Sequence, residues 1–251
     1  MGGLMTDDTI LRFRNLTLGY ERHPAVHHLD GGVDAGTLLA VCGPNGAGKS
    51  TLMKAIAGAI RPLGGSIDLR GLQTREIAYL PQGAEVDRTF PICVYDLVAM
   101  GLWRSAGLFG GIGRAQRSRI EAALAAVGLD GFETRAIGTL SGGQLQRTLF
   151  ARLLLQDARL ILLDEPFTAL DAKTITDLLA LVRRWHAEKR TVLAVLHDFD
   201  LVRAHFPHTL LLARQPVAWG ETQEVLRPDN LLKARRLGES WDESAAPCAA
   251  A

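Results

Sequence analysis

The chain has 251 residues, of which 47% are hydrophobic and 22% charged, a composition typical of a globular protein with one or two domains. The 28 Lys and Arg residues balance 27 Asp and Glu residues, which argues against nucleic acid or anionic lipid as a partner. The apolar runs are far shorter than the ~20 residues that span a bilayer, and residues 1–8 lack the features of a signal peptide, so we expect a cytoplasmic protein. The cysteines are odd in number and widely spaced, which indicates reduced thiols: Cys42, Cys93 and Cys248.

The order of the apolar patterns predicts an α/β fold with a parallel sheet. Residues 10–18 alternate between polar and apolar side chains, as a half-buried antiparallel strand does, and a turn is predicted at Gly31 and Gly32. Short apolar runs that alternate with helical patterns indicate strands joined by βαβ crossovers. The predicted strands of this sheet are residues 38–42, 77–80, 160–163 and 191–196, and the helices that follow the first and third are residues 51–60 and 173–189.

We expect a single domain over residues 9–237, because the sequence contains no internal repeat. An inserted helical subdomain is predicted at about residues 90–157. Its predicted helices are residues 94–100, 116–127 and 144–156. Residues 105–113 contain four glycines and are predicted to form a mobile loop. The Ser- and Ala-rich residues 238–251 are predicted to be a disordered tail.

A glycine-rich segment between the first parallel strand and its helix has the pattern of a phosphate-binding loop. It consists of Gly43, Pro44, Asn45, Gly46, Ala47, Gly48, Lys49, Ser50 and Thr51. Small residues allow consecutive backbone N–H groups to turn inward, and the N-terminus of the helix adds its positive dipole to the same anion site. Lys49 can then reach the outer phosphates while the Ser50 hydroxyl coordinates Mg²⁺. The alternative is a glycine-rich turn without a ligand, which the strand and helix on either side make less probable.

Two acids, Asp164 and Glu165, directly follow the apolar strand at residues 160–163. The carboxyl ends of parallel strands open onto the ligand crevice, so Asp164 is suited to hold Mg²⁺ and Glu165 to orient an attacking water. The alternative is that Asp164 begins a helix, where acids are also favoured. His197 is a candidate of the same kind, because it follows the strand at residues 191–196.

A further motif lies about twenty residues before Asp164: Leu140, Ser141, Gly142, Gly143 and Gln144, followed by Leu145, Gln146 and Arg147. Because it contains this signature, the phosphate loop and the acidic pair in this order, the sequence resembles the ATP-binding subunit of an ABC transporter. The resemblance covers nearly the whole chain. Four positions extend the resemblance. They are Tyr20 as an adenine-stacking aromatic, Gln82 after the strand at residues 77–80, Asp171 in the loop after Glu165, and His197 as a switch histidine.

The resemblance implies a P-loop ATPase of the ABC type that binds ATP and Mg²⁺. Two copies would form a head-to-tail dimer, with ATP between Lys49 of one copy and Ser141 of the other. Ser50, Gln82 and Asp164 would hold Mg²⁺. Glu165, His197, Gln82 and Lys49 would carry catalysis, while Tyr20, residues 43–51, residues 141–144 and Asp171 would bind the nucleotide. Lacking a span of its own, the chain would act on separate membrane permease subunits at the cytoplasmic face, through the groove around Gln82 and the helical subdomain; the alternative for Gln82 is a loop residue without a role.

The substrate has to be inferred from weaker features. Residues 90–101 resemble the corresponding segment of ATPases from zinc and manganese importers, so zinc is expected, supplied by a periplasmic or extracellular metal-binding protein. An iron-chelate or corrinoid importer is the first alternative, and a heme or polar-substrate system a lesser one. A non-transport ABC ATPase in DNA repair or translation, or a P-loop kinase, is another class. Two groups of histidines could bind a surface zinc but are more often incidental: His23, His27 and His28, and His205 and His208.

Overall fold

A computed structural model describes residues 8–20, 23–82, 87–103 and 112–239. The strands are β1 (Thr9–Tyr20), β2 (His23–Asp34), β3 (Leu38–Cys42), β4 (Gly64–Asp68), β5 (Ile77–Leu80), β6 (Leu160–Asp164), β7 (Thr191–Val195), β8 (His208–Ala213) and β9 (Gln215–Glu221). The α-helices are α1 (Lys49–Ile56), α2 (Val94–Ala99), α3 (Arg114–Ala126), α4 (Gly142–Gln156), α5 (Ala172–Ala187), α6 (Phe199–His205), α7 (Thr222–Val225) and α8 (Pro228–Glu239). Short 3₁₀ turns lie at Thr74–Glu76, Met100–Leu102 and Ile137–Thr139.

The strands form two sheets. In the six-stranded sheet the order is β5-β6-β7-β3-β8-β9, and every neighbouring pair is parallel except β8 and β9. The second sheet is antiparallel, with the order β2-β1-β4. The structure therefore confirms the predicted α/β class, with a mostly parallel core and an N-terminal antiparallel unit.

The two faces of β3 belong to different parts of the hydrophobic core. Leu38, Ala40 and Cys42 pack into a cluster with the helical region and α5, whereas Leu39 and Val41 pack with the antiparallel sheet and α1. All five residues are buried. This continuous burial fits a strand in the middle of a parallel sheet that is covered on both sides, and it holds the segment after Cys42 at the carboxyl edge.

Between residues 90 and 157 the described chain consists of α2, α3, α4, two 3₁₀ turns and one isolated bridge between Cys93 and Ala136. This confirms the predicted helical character of the insertion. No helix in the described ranges has the length and apolar character that a membrane span requires. Most of the loop predicted at residues 105–113, nearly all of the predicted tail, and Cys248 lie outside the described residues.

The predicted turn at Gly31 and Gly32 is wrong, because both residues lie inside β2, opposite Phe13 and Arg12 of β1. Trp219 of β9 explains why glycine is needed there. A Cβ on Gly31, whose φ is +149°, would lie 2.6 Å from the Trp219 ring. The glycine thus makes room for a packed indole within a strand and does not mark a turn.

The helix after the phosphate loop begins at Lys49, where the helix N-terminus is expected, but it ends at Ile56 rather than at residue 60. Gly58, with a φ of +78°, ends it. The Ala59 N–H donates to Lys54 O (2.8 Å) and the Gly58 N–H to Ala55 O (3.0 Å), as in a Schellman cap.

Candidate active site

A cavity of about 720 Å³ opens where the phosphate loop, β2 and the ends of β5, β6 and β7 meet. The structure brings most of the predicted site residues together around it. Its lining consists of Ala25, Asn45, Gly46, Ala47, Gly48, Lys49, Ser50, Thr51, Gln82, Glu165, Thr168 and His197. This volume is in the range of sites for small-molecule ligands.

The phosphate loop delivers the first turn of α1 to the cavity. Gly48 occupies the N-cap position of α1 with a φ of +88°, and no side chain caps the helix. Lys49 is buried, and its Nζ donates to Gly43 O (2.9 Å) and Pro44 O (2.8 Å). Burial lowers the pKa of the Lys49 amine, while the charge of Glu165 opposes this shift. An uncapped helix N-terminus beside a buried ammonium group is a site for an anion such as phosphate.

Close backbone contacts explain two glycines of this loop. A Cβ on Gly43 would lie 1.8 Å from Leu212 O, and a Cβ on Gly48 would lie 2.4 Å from Ala25 O. Both distances are impossible for a side chain, so β8 and β2 approach the loop as closely as only glycine permits.

Ser50, next to Lys49 in the first turn of α1, donates from its Oγ to Asp164 Oδ1 (3.0 Å), and the Tyr79 hydroxyl donates to Asp164 Oδ2 (3.4 Å). Asp164 is only 1% exposed, and burial raises the pKa of its carboxyl, with a further contribution from Glu165. Within the described residues no basic side chain forms an ion pair with Asp164. A buried carboxylate without a cation, next to a hydroxyl, is an oxygen donor set that fits Mg²⁺.

The carboxylate of Glu165 is held at both oxygens. His197 Nε2 lies 2.6 Å from Oε1, and Thr168 Oγ1 donates to Oε2 (3.3 Å). Glu165 has a φ of +49°, a conformation that costs free energy for a residue other than glycine and is concentrated at functional sites. The alternative that Asp164 begins a helix is wrong, because Asp164 ends β6 and the next helix begins at Ala172.

The signature lies elsewhere and does not line the cavity, as far as the described residues show. Ser141 is the N-cap of α4, and its Oγ accepts from the Gln144 N–H (3.2 Å). The Gln144 side chain in turn accepts from the Ser141 N–H (2.9 Å). Ser141 and Gly142 are exposed, and Gly143 and Gln144 are half-buried. The capping box therefore satisfies the N–H groups of Ser141 and Gln144 within the chain itself.

Tyr20 and Asp171 are likewise absent from the lining of the cavity. Tyr20 is half-exposed and pairs with His23 at the end of the β1–β2 hairpin. Asp171 is the N-cap of α5, and its carboxylate accepts from the backbone N–H (2.9 Å) and the hydroxyl (2.7 Å) of Thr174. These hydrogen bonds lower the pKa of Asp171.

Some residues of the site had no role in the sequence analysis. Thr168 could have been found by its position three residues after Glu165, in the same loop. Tyr79 and Ala25 could not have been found from the local sequence. Strand pairing brings Tyr79 to Asp164, and the packing of β2 on the phosphate loop brings Ala25 to Gly48. Gln146 follows the signature, and its Nε2 donates to Pro166 O (2.8 Å), beside Glu165.

The histidine groups do not come together as a metal site. Among the described residues, no three or more His, Cys, Asp or Glu side chains are arranged to hold a metal ion. His28 Nδ1 lies 2.6 Å from the Asn15 side-chain oxygen, and His205 contacts Arg183.

Comparison with known proteins gives a consistent result. The ABC transporter family profile matches residues 26–168. The zinc transport system ATP-binding protein TroB of Treponema pallidum is 39% identical, over 88% of this chain and 84% of TroB. The manganese transport system ATP-binding protein MntB of Listeria monocytogenes is 36% identical, over 88% of this chain and 94% of MntB. A solved ABC transporter in an inward-facing conformation superposes with a TM-score of 0.81 at 32% identity, covering 91% of this chain and 89% of that one.

Proposed function

Since the chain belongs to the ABC transporter family, in which it is an ATP hydrolase, we propose that it powers the import of zinc through a separate membrane permease. The metal-transport part of this proposal is carried by one observation. The similarity to ATP-binding proteins named for zinc and manganese transport extends over 88% of the chain. The resemblance of residues 90–101 to the same group supports zinc.

The proposed role of the phosphate loop is to hold the triphosphate of ATP. The uncapped N-terminus of α1 presents backbone N–H groups to the phosphates, and Lys49 supplies positive charge from its position against Gly43 O and Pro44 O. Ser50 and Asp164 would hold Mg²⁺, with Gln82 on the same cavity wall. When bound, Mg²⁺ supplies charge that offsets the charge developing on the phosphate oxygens.

Glu165 is the proposed base for the attacking water. Both of its oxygens are oriented, one by His197 and one by Thr168, so the carboxylate is held in one direction before a water arrives. His197 contacts Glu165 Oε1 and lines the same cavity. It can therefore sense whether the γ-phosphate is present, which is the switch role that the family resemblance implies.

The exposed signature supports the proposed head-to-tail dimer. Ser141 and the start of α4 face solvent instead of the chain's own cavity, so they are free to meet the γ-phosphate held by a second copy. Asp171, at the start of α5, is expected at the same interface. Neither copy would have a whole site alone, and ATP would join the two.

The helical region supports a membrane partner. Three large apolar side chains in it are exposed, namely Phe90 (57%), Trp103 (71%) and Ile112 (44%). Exposed apolar side chains of this size gain free energy when a protein partner buries them. We propose that this region and Gln82 contact the permease at the cytoplasmic face of the membrane, and that a periplasmic or extracellular metal-binding protein supplies zinc to the permease.

The proposal is tested by elemental mass spectrometry of cells that lack the gene and are grown under metal limitation. The cells are complemented with the wild type, with Glu165→Gln, or with the matched control Glu188→Gln. Glu188 pairs with Arg184 and Arg190 and does not line the cavity. We expect a selective fall in cellular zinc that the wild type and Glu188→Gln restore and Glu165→Gln does not.

Other outcomes would each overturn part of the proposal. A selective fall in manganese would replace zinc by manganese. A fall in iron or cobalt alone would replace free metal by a chelate or corrinoid. If no metal changed in the deletion strain, metal import would be wrong and the ATPase would serve another system.

A further inference from the structure

Arg214, at the tip of the β8–β9 hairpin, joins three parts of the molecule. Its backbone N–H donates to Ala47 O of the phosphate loop (3.1 Å), and its carbonyl accepts from the His27 N–H of β2 (2.6 Å). Its guanidinium Nη1 donates to Pro24 O, near the start of β2 (3.3 Å). One residue therefore ties the phosphate loop to the start of β2, which packs against it.

The backbone of this hairpin tip is fixed independently of the side chain. Arg214 has a φ of +60° and lies between the paired residues Ala213 and Gln215. Leu212 of the same strand approaches Gly43 so closely that glycine is required there. Any residue other than proline at position 214 could make the two backbone hydrogen bonds, whereas the hydrogen bond to Pro24 O depends on a long side chain with a donor.

The segment that the guanidinium holds is part of the cavity wall. Ala25 lines the cavity, and its carbonyl packs on Gly48 of the phosphate loop. Pro24 also pairs with Gly19, next to Tyr20. The position of Pro24 thus sets the spacing between the phosphate loop and the hairpin end on which the base of the nucleotide is expected to rest.

We propose that Arg214 is a positioning residue that fixes the base end of the nucleotide site through Pro24 O, without contacting the nucleotide. This inference rests on the proposed nucleotide-binding role of the cavity. Arg214 would thereby set the distance between Pro24 and the phosphate loop. Loss of the guanidinium would weaken binding of the adenosine part of ATP. Binding of the phosphates, which Lys49 and α1 hold, would stay unchanged.

The test compares Arg214→Met, which keeps the apolar stem without a donor, with Arg214→Lys, which keeps a donor. Arg203→Met is the matched control, because Arg203 also donates to a backbone carbonyl, that of Leu226 (2.9 Å), away from the cavity. Steady-state ATP hydrolysis gives KM and kcat, and Mg²⁺-tripolyphosphate, which lacks adenosine, serves as a competitive inhibitor. Circular dichroism checks that each variant is folded.

For Arg214→Met we expect KM for ATP to rise about five-fold, the change that loss of one hydrogen bond produces. The kcat and the inhibition constant of tripolyphosphate should stay at the wild-type values, Arg214→Lys should recover most of the KM, and Arg203→Met should leave both kinetic parameters unchanged. An unchanged KM in Arg214→Met would overturn the inference, and so would an inhibition constant that rises in step with KM. A wild-type chain that does not hydrolyse ATP would instead overturn the proposed function.

Discussion

The helices α1 and α4 both begin at glycine-rich segments, but their N-termini differ in what satisfies the first N–H groups. At α1 no side chain caps the helix, and the buried Lys49 lies in its first turn. At α4, Ser141 and Gln144 form a reciprocal capping box on an exposed surface. The first end is open toward a cavity, while at the second the two side chains bond the N–H groups of Ser141 and Gln144.

This difference indicates how the two helix ends would contribute unequally to the proposed nucleotide site. An open, partly buried N-terminus with a lysine is preorganised for phosphate, so it is expected to bind ATP in the single chain. At the signature end, a ligand would compete with the hydrogen bonds already made between Ser141 and Gln144, which would reduce the net gain from binding. In the proposed dimer the signature end would contribute when another copy brings a nucleotide to it, so association would depend on ATP.

Replacing Lys49 should have the largest effect and tests the open end directly. In Lys49→Ala the buried ammonium group that would meet the phosphates is lost, so we expect ATP affinity to fall by at least about 100-fold, since each hydrogen bond from a charged group to the phosphates is worth about 1.5–3 kcal/mol. Isothermal titration calorimetry with Mg²⁺-ATP measures this. Lys233→Ala, on the exposed face of α8, is the control, and near-normal turnover in Lys49→Ala would refute the assignment of the phosphate loop.

Removing the N-cap side chain of α4 tests the role of the signature end in stability and in dimer formation. Ser141→Ala deletes the oxygen that accepts from the Gln144 N–H, so we expect a loss of about 1 kcal/mol of stability and a fall in Tm of about 2–4 °C. ATP affinity measured at low protein concentration should match the wild type, whereas ATP-dependent dimer formation, followed by analytical ultracentrifugation, should weaken. If Ser141→Ala lost ATP affinity in the single chain, the distinction between an open and a closed helix end would be wrong.

The sequence was sufficient for those parts of the site that are local. The phosphate loop, Asp164 with Glu165, and His197 each follow an apolar strand, and the carboxyl ends of parallel strands meet at one edge, so their convergence on a cavity could be predicted. The capping of α4 by Ser141 and Gln144 is also a local pattern, although its consequence for the free chain becomes visible only with the exposure of the helix end.

The rest depends on contacts between distant segments that no local pattern encodes. Tyr79 reaches Asp164 because β5 pairs with β6, and Arg214 reaches Pro24 across 190 positions of the sequence. The glycine pair at 31 and 32 was misread for the same reason, since Trp219 of a late strand packs on Gly31. Sequence patterns indicate the local structure that a segment prefers. The roles of these residues depend on contacts with distant segments, which form only in the folded chain.

A stability change of similar size but opposite sign is expected at Asp164, the carboxylate that faces the first turn of α1 through Ser50. Burial raises the pKa of Asp164, so the charged form is less favourable in the folded chain than in the unfolded one. The destabilisation is present at pH values above the folded pKa and disappears below the unfolded pKa. For nucleotide-free Asp164→Asn at pH 7 we therefore expect Tm to rise by about 2–4 °C, the shift that about 1 kcal/mol produces at this size.

Thermal unfolding over a pH series checks the sign, because the advantage of Asp164→Asn should shrink as the pH falls toward the ordinary pKa of a carboxyl group. Asp200→Asn is the control, since the Asp200 side chain is 97% exposed and should leave Tm almost unchanged. Addition of Mg²⁺-ATP should then stabilise the wild type more than Asp164→Asn, because the variant lacks the charge that a cation would meet. A variant that is less stable than the wild type without nucleotide would show that the Ser50 and Tyr79 hydrogen bonds outweigh the cost of burying the charge, and Asp164 would then be a structural carboxylate on the α1 side of the cavity.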